Sequence, residues 1–518
     1  MRWADHILAA VSRFPILLVR SLPYLALFVA ALIVGAELAR PLRSASVAWD
    51  SQAAVLYFER IVSAHRLEAF VPTNPKPLLT VIFGALYHLT GDWRTLAWAT
   101  LLAYATGVTL TAALATRVAG WIAGVIVGTL LMLNANLLFD VGYALAVPFA
   151  LVGWAVAGLA CSSRTPHYTI AGLALACATL ARLETVALIG MIMLALAWAT
   201  IAPRRWRVAA APRAAWLVPG IALLALPVML VHDQLLIGDP MYWASVAPRY
   251  AASGRAHVPS LREVVGGMAS HYWAMGAVLL LGIVGFAAAL RARRWWIAVA
   301  IVGLGPGVAA LLFWLAFRGV IVPPRYVAPI DVALIFSAGI GAATIGEAAF
   351  ARAGRSFGKR LGDSWRRRMD VAIVAGAAVL LAGPYWAVNP DLRAQVRDSL
   401  QVGIEADLVR GPMAAALATS GAADGGQPRV MVPGVVTIRL ALDLGLSLQQ
   451  VSGVDPSRID IAGGYPPRGV IVFHSTAGDG DAPGWSELEI EAPRRVAGRE
   501  LVPLATDPKA GYWVVAIR

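Results

Sequence analysis

The stretch PLRSASVAWDSQAAVLYFERIVSAHRLEAFVPTNPKP, residues 41–77, interrupts a chain that is otherwise strongly apolar. It is followed at once by the apolar run LLTVIFGALYHL, residues 78–89. An ionisable side chain inside lipid is costly, so such groups gather where they have a task. Whether the run at 78–89 crosses the membrane decides the side on which every later loop lies. The ionisable residues of the quoted stretch include Asp50, Glu59, His65, Arg66, Glu68 and Lys76.

Composition places the chain among membrane proteins. Of its 518 residues, 59% are hydrophobic and only 14% charged, and the mean hydropathy is +0.69. The formal net charge of +13 is unevenly distributed. Residues 389–518 hold 12 basic and 15 acidic residues, which leaves 31 basic and 15 acidic residues before them. The basic excess therefore lies in the apolar part, and we expect a membrane partner and no nucleic acid.

The apolar runs predict a polytopic α-helical membrane protein with about eleven transmembrane helices. Most runs are close to the ~20 residues that a helix needs to cross a bilayer. We count residues 1–387 as the membrane domain. The predicted spans are 21–39, 95–115, 119–138, 143–161, 167–183, 185–202, 214–233, 273–290, 296–316, 327–346 and 370–387.

Charge in the short loops decides between two topologies. If the run at 78–89 does not cross, the loops that contain most of the arginines all lie on the cytoplasmic side with the N-terminus, as the positive-inside rule requires. If it crosses, these loops all move outside. We therefore predict that the first outer loop, 40–94, lies outside together with 234–272, 317–326 and the C-terminal region. The loop residues that support this topology are Arg117, Arg164, Arg204, Arg205, Arg207, Arg213, Arg291, Arg293, Arg294, Arg352, Arg355, Lys359, Arg360, Arg366, Arg367 and Arg368.

The C-terminal part has the pattern of a soluble domain. The segments PRVMVPGVV, RGVIVFHS, WSELEIEA and YWVVAIR are typical of short strands, and TIRLALDLGLSLQQ is typical of an amphipathic helix. Gly- and Pro-rich segments separate them. We predict a small α/β extracytoplasmic domain over residues 388–518.

Asp50 and the pair Arg325 and Tyr326 are candidate site residues of the outer loops. Asp50 follows the first span, where a carboxylate in a partly desolvated cleft can act as a general base, or can cap a helix. Arg325, in the sequence PPRY, can offer a planar fork of donors to a phosphate, or can extend to lipid headgroups.

Four further residues are candidates for binding substrate. Arg182 and Glu184 separate two apolar runs and form either a structural salt bridge or part of a polar cavity. Lys76 follows a Pro-rich turn, where it can bind phosphate or extend to the interface. Asp140 is an acid of a short outer loop. Histidines and carboxylates show no metal-site spacing, so we expect no cofactor and leave a divalent cation open.

These residues, in this order, resemble the GT-C superfamily of integral membrane glycosyltransferases, which use polyprenyl-phosphate sugars. The superfamily includes bacterial mannosyl-, arabinosyl- and aminoarabinose transferases and protein O-mannosyltransferases. The resemblance covers nearly the whole membrane part. It rests on Asp50, on TNPKPLLTVIFGALYHLTGD at 73–92, on Asp140, on LARLE at 180–184, on GDPMYW at 238–243 and on PPRY at 323–326.

The resemblance implies a mechanism and a location. Asp50 would deprotonate an acceptor hydroxyl, which attacks the sugar of a polyprenyl-phosphate donor and inverts its anomeric centre. Arg325, with Lys76 and Arg182, would stabilise the departing phosphate. The acceptor would be a glycan, lipid or protein of the cell envelope. The enzyme would lie in the bacterial cytoplasmic (inner) membrane, with its site and C-terminal domain on the extracytoplasmic side.

Two other classes stay open on sequence alone. One is a polytopic transporter or flippase of lipid-linked precursors, although the apolar runs contain few ionisable residues of the kind that mark a transport path. The other is a non-catalytic membrane protein that binds envelope glycan.

Overall fold

A computed structural model describes most of the membrane part and the strands of the C-terminal part. The described ranges are 2–39, 47–62, 76–201, 212–245, 260–318, 324–357, 429–433, 439, 442–443, 451–454, 469–474, 501–507 and 512–517. Side chains of residues 2–20 are not among those described.

Sixteen helices account for nearly all of the described membrane part. They are α1 (Arg2–Ala39), α2 (Trp49–Val62), α3 (Pro77–Thr90), α4 (Arg94–Ala119), α5 (Trp121–Met132), α6 (Ala135–Gly142), α7 (Val147–Cys161), α8 (Tyr168–Ala181), α9 (Thr185–Ile201), α10 (Leu217–Ala222), α11 (Ala225–Ile237), α12 (Leu261–Ala274), α13 (Gly276–Arg291), α14 (Trp295–Val302), α15 (Val308–Phe317) and α16 (Ala328–Phe357).

The described helices form a multi-pass membrane fold. Five helical stretches are long and apolar enough to cross a membrane, and there are up to seven if the bent pairs α5–α6 and α12–α13 each count as one span. The pairs bend by 50° and 85°. Ten of the eleven predicted spans fall on described helices, while 370–387 lies outside the described residues. The mostly helical fold is confirmed, and the count of eleven stays a prediction.

The apolar run that decides the topology forms α3. Its 14 residues extend over about 21 Å at the usual helical rise, less than the roughly 30 Å of a hydrocarbon core. Pro77 occupies its first turn, and Gly91 ends it in a left-handed conformation with φ +64°. The helix packs against α2 so closely that a Cβ on Gly84 would lie 2.0 Å from the Cβ of Phe58. The helices α2 and α3 therefore lie side by side and run in the same direction, since Lys76 pairs with Asp50 near their starts and His88 contacts Glu59 near their ends. Because α7, α8 and α9 are also short, length alone does not establish whether α3 crosses.

Small residues allow α13 and α16 to approach closely. A Cβ on Gly285 would lie 1.8 Å from the carbonyl oxygen of Ser337, and one on Gly341 would lie 2.0 Å from that of Leu281. The Ser337 hydroxyl donates to the carbonyl of Gly282 at 2.6 Å. Helices in lipid associate through such close packing, because lipid tails are as apolar as their side chains.

A mixed five-stranded sheet lies in the C-terminal part. Its strands are β1 (Arg429–Pro433), β2 (Val451–Val454), β3 (Gly469–His474), β4 (Leu501–Asp507) and β5 (Tyr512–Ile517), in the order β2-β1-β3-β5-β4. The pairs β1–β2 and β1–β3 are parallel, and β3–β5 and β4–β5 are antiparallel.

Three of the predicted strand segments contain β1, β3 and β5, whereas WSELEIEA lies outside the described residues. The sequence pattern missed β2 and β4, which contain Gly453 and Pro503. The domain boundary at 387/388 and the side of the membrane stay predictions.

We expect Gly285→Ala to destabilise the protein by about 1–3 kcal/mol, because the new methyl group would overlap backbone that cannot rotate away. Gly190→Ala is the control, since a Cβ there meets no atom within 4 Å. Thermal unfolding in detergent measures both. Equal unfolding temperatures for the two variants would contradict the close packing of α13 on α16.

Candidate active site

Asp50 and Lys76 form an ion pair where the starts of α2 and α3 lie together. Lys76 Nζ donates to Asp50 Oδ2 at 2.7 Å, and their side chains are 12% and 21% exposed, respectively. Asp50 lies within the first turn of α2, so its interpretation as the N-cap is wrong. Lys76 directly precedes α3, and its ammonium contacts Asp50. Two residues that are 26 positions apart thus meet because α2 and α3 lie side by side with their starts at the same end.

The start of α2 is fixed to the turn between α6 and α7. The backbone N–H of Ala48 donates to the carbonyl of Tyr143 at 2.9 Å, and the hydroxyl of Ser51 donates to that of Ala144 at 2.5 Å. Asp140 is buried in α6, and its Oδ2 accepts from the N–H of Val147 at the start of α7, at 3.2 Å. A carboxylate at a helix N-terminus is stabilised by the unpaired N–H groups there. Asp140 thereby supports the turn that holds the helix of Asp50.

Arg182 lies in the turn between α8 and α9 and is almost fully buried. Its Nη2 donates to Glu184 Oε1 at 2.6 Å, and its guanidinium lies 4.8 Å from the ring centre of Tyr326. The carboxylates of Asp140 and Asp50 also act on it electrostatically. Its Nε is buried and makes no hydrogen bond within the described residues. Within the described residues, one buried donor of the site thus has no protein acceptor.

Six of the seven predicted site residues are thus gathered at one end of the helices. For the seventh, Arg325, only the backbone is described, in the 3-10 turn Pro324–Val327. That turn brings Tyr326 to Arg182, so Arg325 is next in sequence to a residue of the site.

A second polar group near the ion pair was not predicted as part of the site. Nδ1 of His232 lies 3.0 Å from Asp233 Oδ1, and its Nε2 lies 3.2 Å from Thr80 Oγ1. The buried Asp233 also accepts from the N–H of Trp243 at 2.9 Å. Tyr57 packs edge-on against His232. Burial raises the pKa of Tyr57 well above its usual value, and Tyr242, Asp233 and Asp50 raise it further, so its phenol stays neutral.

A third polar group surrounds Asp331, in the first turn of α16. This fully buried carboxylate accepts from Asn134 and Asn136 at 3.2 and 2.8 Å. It also contacts His271 Nε2 at 3.0 Å and accepts from the Tyr272 hydroxyl at 3.3 Å. Asp331 therefore joins the α5–α6 bend, α12 and α16. The sequence did contain a signal, since an ionisable residue inside the apolar run 327–346 is itself a candidate.

The described residues contain no group of three or more His, Cys, Asp or Glu arranged to hold a metal ion. The requirement for a divalent cation is untested by this geometry.

The overall structure is similar to that of known membrane glycosyltransferases. The crystal structures of ArnT from Cupriavidus metallidurans, an aminoarabinose transferase, match in the apo state and bound to undecaprenyl phosphate. The TM-scores are 0.54 and 0.52 at 15% identity, over 96% and 95% of this chain and 98% of each ArnT chain. The chain has the GT-C fold. The resemblance stated from sequence is confirmed at the level of the fold.

The GT-C fold is also shared with the oligosaccharyltransferase of Archaeoglobus fulgidus. Its apo structure matches with a TM-score of 0.52 at 12% identity, over 84% of this chain and 65% of that one. No protein-family model and no curated protein matches this chain by sequence.

An open apolar groove of about 470 Å³ lies on the surface of the GT-C fold beside the site. It runs between α4, α7 and α8 and reaches the start of α3 at Leu78, two residues after Lys76. Nearly all of its lining is apolar, including Leu102, Phe149 and Val156, and Cys177 is exposed within it. The groove could take a hydrocarbon chain whose polar end lies near Lys76.

We expect Glu184→Gln to lower stability by about 3 kcal/mol, because it leaves the buried Arg182 without its closest counter-ion. The control is Glu347→Gln, which removes the same charge from an exposed position on α16. Unfolding temperatures in detergent compare the two. A Glu184→Gln variant as stable as the control would mean that the other carboxylates compensate Arg182.

Proposed function

We propose that this protein is a membrane glycosyltransferase that moves a sugar from a polyprenyl-phosphate donor to an extracytoplasmic acceptor by a single inverting displacement. The observation that carries the proposal is the Asp50–Lys76 pair, in which Lys76 lies two residues in sequence before Leu78, a residue that lines an apolar groove. An acid and a phosphate-binding cation close to a groove for a hydrocarbon chain are the groups that transfer from a lipid-linked sugar requires. ArnT has a similar fold and has a crystal structure with undecaprenyl phosphate bound, which supports this class of donor.

Lys76 would change partners when the donor binds. In the structure its ammonium donates to Asp50 Oδ2. A donor phosphate offers Lys76 an alternative anionic partner. As Lys76 moves toward the phosphate, Asp50 Oδ2 can instead accept from the acceptor hydroxyl. Asp50 thus acts as a base when the donor is in place.

The proposed reaction breaks one bond and forms one. Asp50 takes the proton of the acceptor hydroxyl, and the hydroxyl oxygen attacks the anomeric carbon from the side opposite the phosphate. The bond between that carbon and the phosphate oxygen breaks, and polyprenyl phosphate leaves with the electron pair. The unsatisfied Nε of Arg182 and the neighbouring Arg325 are suited to stabilise this charge, because such donors act strongly where water is excluded.

The acceptor is a glycan, lipid or protein of the envelope, and the site faces the extracytoplasmic side of a bacterial cytoplasmic membrane. The distribution of loop arginines supports this orientation.

We expect Asp50→Asn to lower turnover by about 10²–10⁴-fold, the usual contribution of a general base. The assay uses proteoliposomes with a panel of undecaprenyl-phosphate sugars and measures the release of undecaprenyl phosphate. Asp92→Asn is the control, because Asp92 is exposed and its acceptor role toward the N–H of Arg94 is kept by Asn. An Asp50→Asn variant that transfers sugar like the wild type would defeat the mechanism. Uptake of a soluble solute by the same vesicles would favour a transporter.

We expect undecaprenyl phosphate to protect Cys177 from a membrane-permeant maleimide, because its chain would cover the groove. The experiment uses a Cys161→Ser background, in which Cys177 is the remaining thiol. For comparison, Leu194→Cys in a chain without Cys161 and Cys177 places a thiol on an exposed part of α9, away from the groove lining. Protection of Cys177 alone supports the groove as the lipid site. Equal labelling with undecaprenyl phosphate or with phosphatidylglycerol would contradict it.

A further inference from the structure

A short helical segment of the C-terminal part lies against α2, which contains Asp50, and against α3. Its described residues are Arg439, Leu442 and Asp443, which lie between β1 and β2 in sequence. Its hydrogen bonds connect positions at least 350 residues apart along the chain. We call these three residues the latch segment.

Asp443 is the buried centre of this contact, with 3% of its side chain exposed. Its Oδ1 accepts from the Tyr87 hydroxyl at 2.8 Å and from Trp93 Nε1 at 2.9 Å. Its Oδ2 lies 3.6 Å from Arg439 Nε, and the Arg439 guanidinium lies 5.8 Å from the ring centre of Trp93. A buried carboxylate needs donors and a counter-ion, and here they come from α3, from the residue before α4 and from the latch segment itself.

The latch segment also holds α2. The backbone N–H of Arg439 donates to Oε1 of Gln52 at 3.1 Å, and Gln52 Nε2 donates to the carbonyl of Val47 at 2.7 Å. Gln52 is two residues after Asp50. Leu442 packs against two apolar clusters, one that includes Val55 and one that includes Leu56, both from α2.

The latch segment thus contacts both α2 and α3. It contacts α2 through Gln52 and the end of α3 through Tyr87, whereas the Asp50–Lys76 pair joins the start of α2 to the start of α3. The distance between Asp50 and Lys76 depends on how these two helices are placed relative to each other. A shift of about 1 Å in a reacting group can cost 10²-fold in rate.

We propose that Asp443 is a positioning residue: the latch segment fixes α2 against α3 and so places Asp50 for catalysis. The effect of Asp443 on catalysis rests on the proposed function, whereas its effect on the placement of α2 against α3 does not. The C-terminal part thereby acts on the site through Gln52 and Tyr87, without itself touching the reacting atoms.

Asp443→Asn tests the proposal, because it keeps the volume and one acceptor but removes the charge that pairs with Arg439. We expect kcat to fall at least tenfold while the donor KM changes less than twofold, since binding groups stay in place and the base moves. Amide hydrogen exchange in α2 should become faster in the same variant. Asp92→Asn, one residue before Trp93, removes an exposed charge from the same region and should change neither quantity.

Tyr87→Phe is the milder variant to use if Asp443→Asn does not fold. It deletes one donor to Asp443 and should produce the same two effects more weakly. Combined with Asp443→Asn its effects should be less than additive, because the two changes act on contacts of the same side chain. A lower unfolding temperature with unchanged kcat and unchanged exchange in α2 would overturn the proposal and leave Asp443 a purely structural acid.

Asp50→Asn, measured in parallel, separates the two proposals. If Asp50→Asn retains full turnover, the proposed mechanism fails. Hydrogen exchange in α2 then tests the positioning role of Asp443 alone: faster exchange in Asp443→Asn supports that role, and unchanged exchange refutes it. If Asp50→Asn is inactive while Asp443→Asn matches the wild type in kcat and exchange, the latch fails and the mechanism stands.

Discussion

An ion buried among apolar helices costs several kcal/mol unless an opposite charge and hydrogen bonds compensate it, and this requirement organises the polar end of the protein. Asp50 has Lys76, Arg182 has Glu184, and Asp443 has Arg439 together with two aromatic donors. Lys76 and the Tyr87 and Trp93 donors to Asp443 come from other elements than the acids they contact, whereas Glu184 shares the turn of Arg182 and Arg439 lies four residues before Asp443. Compensation of charge at Asp50 and Asp443 therefore also fixes the relative positions of α2, α3 and the latch segment.

The same requirement makes a site that can exchange partners. A pair such as Asp50–Lys76 keeps both ions satisfied while no donor is bound, at a depth where either alone would destabilise the fold. Under the proposed function, the phosphate of the donor would take the place of Asp50 as the partner of Lys76, so that one anion is exchanged for another. Arg182 complements this, because its Nε is already desolvated and has no acceptor within the described residues. Folding has already removed water from this group, before any ligand binds.

Sequence patterns predicted the helices well and the contacts poorly, for physical reasons. The spans follow from the length of apolar runs, and Arg182 stood out because it separates two of them. Asp331 was missed although an ionisable residue inside an apolar run is itself a signal, and Asp233 was missed because it lies at the end of such a run. The Asp50–Lys76 pair could not be predicted, since it depends on how α2 packs against α3. The roles of Asp443 and Gln52 depend on contacts across more than 350 residues.

The contrast between the two kinds of packing explains why a membrane protein would need the latch segment. Within lipid no hydrophobic force draws helices together, so α13 and α16 associate through glycines that bring backbones into contact. The helices α2 and α3 differ from this pair, because α2 has charged residues along it and α3 is short. Close packing like that at Gly84 therefore covers only part of the surface between them. Hydrogen bonds to Gln52 and Tyr87, with Leu442 between two apolar clusters, supply the directional contacts that fix them. Positioning a reactive carboxylate thus requires a part of the chain outside the helices that form the groove.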